Sequence, residues 1–423
     1  MSSDLKDDAA RCRWLIVADD VTGAADCAIA FAKRGIESAV GWDQTLEPST
    51  VLSYNTNSRD LPSPEVARRH REALGGFLDR GTNLFKKIDS TLRGQPAAEI
   101  AMVMEALHAR FGSALGIFAP AFPAAGRTTE EGHVHIGGGP LEQSEVWQRE
   151  HSYQNADLVD VLATAGIAGR RVPLSTVRGG ADALRATFAD LAATGDVAAI
   201  CDAVTQDDLD RIAEASLPAA EQVFFIGSAG LAHALAAATP GTRSNAVVHA
   251  KSTQGSLIVV GSLAAASRSA ARVLAQSPGV RPVAAHLRML LEADAGRRAF
   301  QESVIDGLDA GEDVLVEIRT ESGPDLSVGP RVSDALGEIL QPVASHMSGL
   351  AVTGGETASA LFTHFGVRGL RLIDEIEPGI ALGLTRGQVS VPVVTKAGAF
   401  GDEGSLTRIA TRLRSIRRTG VVE

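Results

Sequence analysis

Aromatic residues are scarce in this chain, at 4% of 423, so its cores must be built from Ala, Val, Leu and Ile, and base-stacking platforms are hard to assemble. Cysteine is scarcer still. Cys12, Cys27 and Cys201 are odd in number and widely spaced, with no CxxC pair for zinc or redox work, which fits a reducing cytoplasm. Positive charge is also short: 40 Lys and Arg against 51 Asp and Glu give a net charge of −11. Phosphate-backbone binding needs the opposite balance, so nucleic acid is not an expected partner. The amino terminus, MSSDLKDDAARCR, has early acids and none of the apolar core of a signal peptide. The uncharged run Gly112 to Gly126 is broken by Pro120 and Pro123 and falls short of the roughly 20 residues a bilayer requires, so no membrane association is expected. Lysine occurs only at positions 6, 33, 86, 87, 251 and 396, which makes each one worth locating.

What is present is a rhythm of short β-branched runs and helical patterns. Trp14 to Ala18, Val51 to Asn55, Leu84 to Ile88 and Leu115 to Phe118 read as strands. Helices are expected through Ala24 to Lys33, ended by Gly35, and from an N-cap at Ser63 with Pro64 first, running to Arg80 before Gly81. Ile100, Val103, Met104, Leu107 and Phe111 form one apolar helix face. Between Thr239 and Gly255 the pattern dissolves. A second series then starts at Leu257 to Val260 and continues through Val314 to Ile318, a helix over Val332 to His346, Leu350 to Thr353, a helix carrying Ala358, Leu361, Phe362 and Phe365, and Val391 to Thr395. The expectation is an α/β protein of two domains, 1–243 and 244–423, each with a mainly parallel sheet flanked by helices.

One local form recurs: a strand ends, glycine and a hydroxyl residue follow, and a helix begins. It appears as FFIGSAGLA (224–232), IVVGSLAAAS (258–267) and LAVTGGETAS (350–359), with VVTKAGAFGDEGS (393–405) a looser relative. Free backbone N–H groups and a positive helix end suit such turns to phosphate oxygens. No lysine follows a glycine, which excludes the P-loop, and no GxGxxG is present. Thr353, Gly354, Gly355 and Thr357 can present donors, and Glu356 can cap the helix or hold magnesium through water. Lys396, beside Gly398 and Gly401, is placed to neutralise a transferring phosphoryl group.

The first series carries acid and base chemistry. WLIVA runs into Asp19 and Asp20, which at a strand's carboxyl end face a ligand crevice. One of them can take a proton from a substrate hydroxyl; Asp20 is favoured, with Asp19 as the alternative, and at most one of the two is expected to cap the next helix. KKIDSTLRG (86–94) supplies Lys86, Lys87, Asp89, Ser90 and Arg93, the composition that grips a small polyhydroxy acid: Arg93 for its carboxylate, Asp89 and Ser90 for its hydroxyls. APAFPAAGRTTEEGHVH (119–135) reads as a punctuated loop with Arg127, Thr128, His133 and His135 at its polar tips. No HExxH accompanies these histidines, and no residue is assigned as a metal ligand.

Taken in order, VADDVTGAAD, KKIDSTLRG, PAFPAAGRTT, GSAGLA, TGGETA, EIEPGIALG and TKAGAFGDE resemble the signature set of the four-carbon acid sugar kinases over residues 17–403. The resemblance implies an amino-terminal sugar-acid domain and a carboxy-terminal ATP domain with the active site in the cleft between them. It also implies ATP- and magnesium-dependent transfer of a phosphate to the 4-hydroxyl of a C4 acid. Carried over by position, it puts Asp19, Asp20, Lys87, Asp89, Ser90 and Arg93 on the substrate side, with Ser262, Gly354, Gly355, Glu356, Thr357 and Gly398 on the nucleotide side. This chain departs from the family pattern at Ala399, where a glycine is usual, and at Gln95, where asparagine is usual. Family members act on D-threonate, D-erythronate or 3-oxo-tetronate. The segment GRTTEEGH lacks the tyrosine and glutamine that follow GRT in the 3-oxo-tetronate group, which favours an aldonate, D-threonate first. A non-catalytic sugar-acid binding protein is the alternative class, and a dehydrogenase a third. So apolar a composition is compatible with a homodimer.

Overall fold

The computed structural model describes residues 13–43, 49–149, 153–220, 223–241, 247–292, 296–319 and 329–422. The chain divides into two compact units, Met1–Ser38 with Glu47–Arg243, and Ala39–Leu46 with Ser244–Glu423. The boundary expected near 245 lies in 242–246, outside the described residues.

The first unit is built on seven parallel strands in the order Val51–Asn55, Trp14–Ala18, Asn83–Lys87, Val223–Gly227, Leu115–Ala119, Val197–Cys201 and Gly169–Val172. Every residue of Trp14–Ala18 is buried, as befits a strand covered on both faces. The helix Val21–Ala32 is buried along its whole length, which its run of Ala, Gly and Cys permits. Trp14 anchors the packing, with ring centroids 5.1 Å from Phe31 and 5.7 Å from Phe225.

The second unit holds five parallel strands, Val280–His286, Asp313–Arg319, Ser256–Val260, Gly349–Thr353 and Pro392–Lys396. The sheet continues antiparallel through Ile380–Gly387 and Val367–Glu377, whose free edge takes Ala39–Gly41 from far upstream. Trp42, just beyond that strand, stacks on Phe362 at 5.6 Å. Helices Ala265–Leu274 and Ser405–Thr419 cover one face over a core of Ile258, Leu315, Val394, Leu406 and Leu413. Among the described residues, no helix is long and apolar enough to cross a membrane.

Several local expectations change. The helix expected to reach Arg80 spans Ser63–Phe77, because Leu78 turns extended to bury its side chain; the cap is Pro62, and Ser63 donates to Gln95 Oε1 at 2.7 Å. Phe111, the last residue before left-handed Gly112, is 49% exposed. The helix expected over 332–346 ends at Leu340, where Pro342 enforces a 3-10 turn. Residues 119–135 are not one loop: Arg127–Glu130, His133–Ile136 and Gly139–Pro140 form a three-stranded antiparallel sheet. Of its supposed polar tips, Arg127 is buried, with Nη1 donating to Ala125 O at 2.6 Å, and His133 is half-buried against Glu142 at 2.8 Å.

Candidate active site

Trp14–Ala18 delivers Asp19 and Asp20 at its carboxyl end, and the neighbouring strands Val51–Asn55 and Asn83–Lys87 bring two loops alongside. Asp20 is the N-cap of Val21–Ala32: Oδ1 accepts from Gly23 N and Oδ2 from Thr22 Oγ1, both at 2.9 Å. Its side chain stays 14% exposed. Asp19 is 2% exposed and is held from two sides by a residue the sequence reading did not single out, Arg59, whose Nε and Nη2 donate at 2.6 and 3.0 Å. The same guanidinium lies 3.2 Å from Asp20 and 3.7 Å from Asp89. Asp89 accepts from Arg93 at 2.8 Å and from Thr91 N at 2.9 Å.

Burial opposes ionisation of Asp19, but Arg59, with Lys87 and Lys86, holds its carboxyl below the usual range. Asp89 is likewise desolvated, and Arg93 and Arg59 keep it well below. Lys87 is buried too, yet its neighbours Cys27, Asp20, Asp19 and Asp89 hold its ammonium above the ordinary value. Arg127 lies within electrostatic reach of Asp89 and Arg93. Arg59, Lys87, Arg93 and Arg127 lie within electrostatic reach of Asp19, Asp20, Asp89 and, for Arg127, Asp26.

Close approach depends on two glycines. A Cβ at Gly23 would sit 2.4 Å from Asp20 Oδ1 and 2.7 Å from Lys87 Nζ, and one at Gly94 (φ 80°) would sit 3.2 Å from Asp19 Oδ2. Leu92, also left-handed at φ 61° and 1% exposed, carries a strain of about 1–2 kcal/mol. Ser90 is half-buried on the same loop. Lys86, expected to meet the anion, instead points into the protein and pairs with Glu99 at 2.6 Å.

In the second unit the turns after Ser256–Val260, Gly349–Thr353 and Pro392–Lys396 sit on three adjacent strands and converge. A Cβ at Gly398 would lie 2.1 Å from Ser262 Oγ, and one at Gly261 would lie 1.9 Å from Thr357 Oγ1. Gly354 (φ 94°) N donates to Lys396 O at 3.0 Å and caps the helix Gly355–His364, whose first N–H groups have no partner within the helix. Glu356 is exposed in that first turn, while Thr357 is buried with its hydroxyl 3.3 Å from Ser333 Oγ. Gly401 (φ 76°) packs on Ser405 and Glu377.

Lys396 is placed differently from expectation. It is 0% exposed, its ammonium donates to Ser267 Oγ at 2.9 Å, and burial lowers its pKa to about 8. Ser267 in turn donates to Gly398 O at 2.8 Å, so Lys396 braces the turn from beneath. The GSAGLA turn also has a structural use: Ser228 donates to Ala121 O at 3.1 Å, and a Cβ at Gly230 would lie 2.3 Å from that same oxygen.

A guanidinium–carboxylate cluster in one α/β unit and glycine-rich strand-to-helix turns in the other are the parts that a phosphotransferase acting on a small acid requires. Comparison with known proteins narrows the class. A family model described as "Sugar-binding N-terminal domain" matches residues 14–235, and one described as "Nucleotide-binding C-terminal domain" matches 257–406. A Cupriavidus necator protein named D-threonate kinase is 40% identical over 93% of this chain and 96% of its own length. A D-threonate kinase of Bordetella bronchiseptica is 31% identical (96% and 98%), and a 3-oxo-tetronate kinase of Methylobacterium radiotolerans 30% (91% and 95%). A crystal structure from Haemophilus influenzae shares the fold, with TM-score 0.70 at 20% identity over 95% of this chain and 100% of that chain. The chain belongs to the four-carbon acid sugar kinase family. It is an ATP-dependent sugar-acid kinase, and the non-catalytic binding alternative falls away.

Proposed function

We propose that the chain transfers the terminal phosphoryl group of ATP to the 4-hydroxyl of D-threonate, giving 4-phospho-D-threonate, with D-erythronate and 3-oxo-tetronate as the alternative acceptors. The observation that carries this reading is the Arg59-centred cluster of guanidinium, ammonium and carboxylate groups at the end of the strand Trp14–Ala18. The names of the relatives from Cupriavidus necator and Bordetella bronchiseptica favour D-threonate within it. Arg93, Arg59 and Lys87 hold the carboxylate, with Arg127 adding to the field, while Asp89 and Ser90 take hydroxyls. Asp20, the more accessible of the two strand-end acids, receives the hydroxyl proton; Asp19 orients Arg59.

On the nucleotide side, Ser262, Gly398 and the backbone N–H groups of Gly354, Gly355, Glu356 and Thr357 receive the phosphates. Lys396 and Gly401 shape the adjoining turn. The exposed carboxylate of Glu356 in a helix first turn is an oxygen donor of the kind Mg2+ takes alongside nucleotide phosphates. The ion would supply charge neutralisation of the transferring group. We place the reaction in the cytoplasm, where ATP is available and the buried thiols of Cys27 and Cys201 stay reduced. An ADP-release assay across D-threonate, D-erythronate and 3-oxo-tetronate tests the proposal: highest kcat/KM is expected with D-threonate, and preference for another C4 acid overturns that assignment.

A further inference from the structure

Lys86 and Glu99 bracket the loop that carries Lys87, Asp89, Ser90 and Arg93. Their side chains, 0% and 2% exposed, meet beneath it at 2.6 Å. Lys86 Nζ also donates to Val17 O at 3.3 Å, two residues before Asp19, and His70 Nε2 of the helix Ser63–Phe77 lies 3.7 Å from the Glu99 carboxylate. None of these three groups reaches solvent, so none touches substrate. The loop above them is strained at Leu92, left-handed at φ 61°, and such a conformation persists only where its surroundings enforce it. A buried ion pair is poorly explained by stability, because desolvating two charges costs about what their attraction returns.

We infer that Lys86 and Glu99 are a positioning pair: they staple the two ends of the 87–95 loop to each other and to the strand that delivers Asp19, fixing the groups that grip the sugar acid. His70 fills the space behind Glu99. This rests on the sugar-acid kinase reading. The test uses the full chain with Lys86→Met/Glu99→Leu, which replaces the pair by apolar side chains of similar volume, a change that in other proteins is often neutral or stabilising. The melting temperature and the KM for ATP should hold, while kcat/KM for the sugar acid falls by about 10- to 100-fold. Glu99→Gln alone, which leaves Lys86 buried without its counter-charge, should lower the melting temperature. Adding Lys86→Met should restore stability without restoring kcat/KM. Unchanged kcat/KM in the folded double variant overturns the inference. Should that variant not fold, Lys86→Arg/Glu99→Asp keeps both charges and changes where and with what geometry they meet; the same loss is expected, and an unchanged kcat/KM again overturns it. Absence of ADP release by the wild type with every C4 acid would overturn the functional reading and this inference together, whereas wild-type turnover matched by the variants overturns the inference alone.

Discussion

At the scale of single residues, Asp20 does two jobs that a substitution can separate. Its side chain caps Val21–Ala32 through Gly23 N, and asparagine is as good a cap as aspartate. Asp20→Asn should therefore leave thermal stability almost unchanged while lowering kcat by about 10²- to 10⁴-fold, measured by ADP release. Arg59 argues in a different way. Its two parallel bonds to Asp19 and its approach to Asp20 and Asp89 need a planar fork, which an ammonium does not have. Arg59→Lys should lower kcat/KM for the acid by about 10²-fold with ATP affinity intact; titration calorimetry checks the second half. Nothing in NSRD marks Arg59 in the sequence apart from its place just past Val51–Asn55, a strand next to the one bearing Asp19. Residue chemistry was legible where a motif concentrated it, as in KKIDSTLRG. It was not legible where a lone side chain crosses 40 positions to its partner, nor where burial decides which of two adjacent lysines faces the ligand.

At the scale of elements, the parallel strands were readable because burial on both faces leaves unbroken apolar runs, whereas the hairpin Val367–Glu377 and Ile380–Gly387 was not expected. Its turn has a consequence for the nucleotide side. Gly379 is left-handed (φ 79°), a Cβ there would lie 2.5 Å from the Phe400 ring, and Gly379 O accepts from Ala397 N at 3.3 Å. Glu377 meanwhile pairs with Arg408, which also binds Asp402 at 2.7 Å. The EIEPG turn thus holds the Ala397–Gly404 segment against the sheet. Gly379→Ala forces both backbone strain and displacement of Phe400. The expected result is a loss of about 1–2 kcal/mol in urea unfolding and a several-fold higher KM for ATP, with the KM for the sugar acid unchanged.

At the scale of the whole molecule, the buried ionisable groups of the first unit set how stability depends on pH. Asp19 and Asp89, held below their ordinary values by Arg59 and Arg93, contribute stability that is present above about pH 4 and lost as pH falls through their folded values. His70 acts at higher pH. Burial, with Lys86 nearby, lowers its pKa to about 3, while Nδ1 at 2.9 Å from Val66 O suits a neutral ring that donates there. An unfolded chain takes up a proton at this histidine near pH 6.5 and the folded one does not until near 3, so more protons are bound in the unfolded state throughout that window. Stability at this group must therefore fall as pH drops below about 6.5, by roughly 5 kcal/mol at the acid limit for His70 alone. Glu99 opposes this: burial raises its pKa, so the folded state takes a proton there earlier than the unfolded one and recovers part of the loss. Melting temperatures measured from pH 7.5 to 5 should fall steadily for the wild type and markedly less for His70→Leu, which has no proton to accept; parallel curves for the two proteins would show that another group carries the pH dependence.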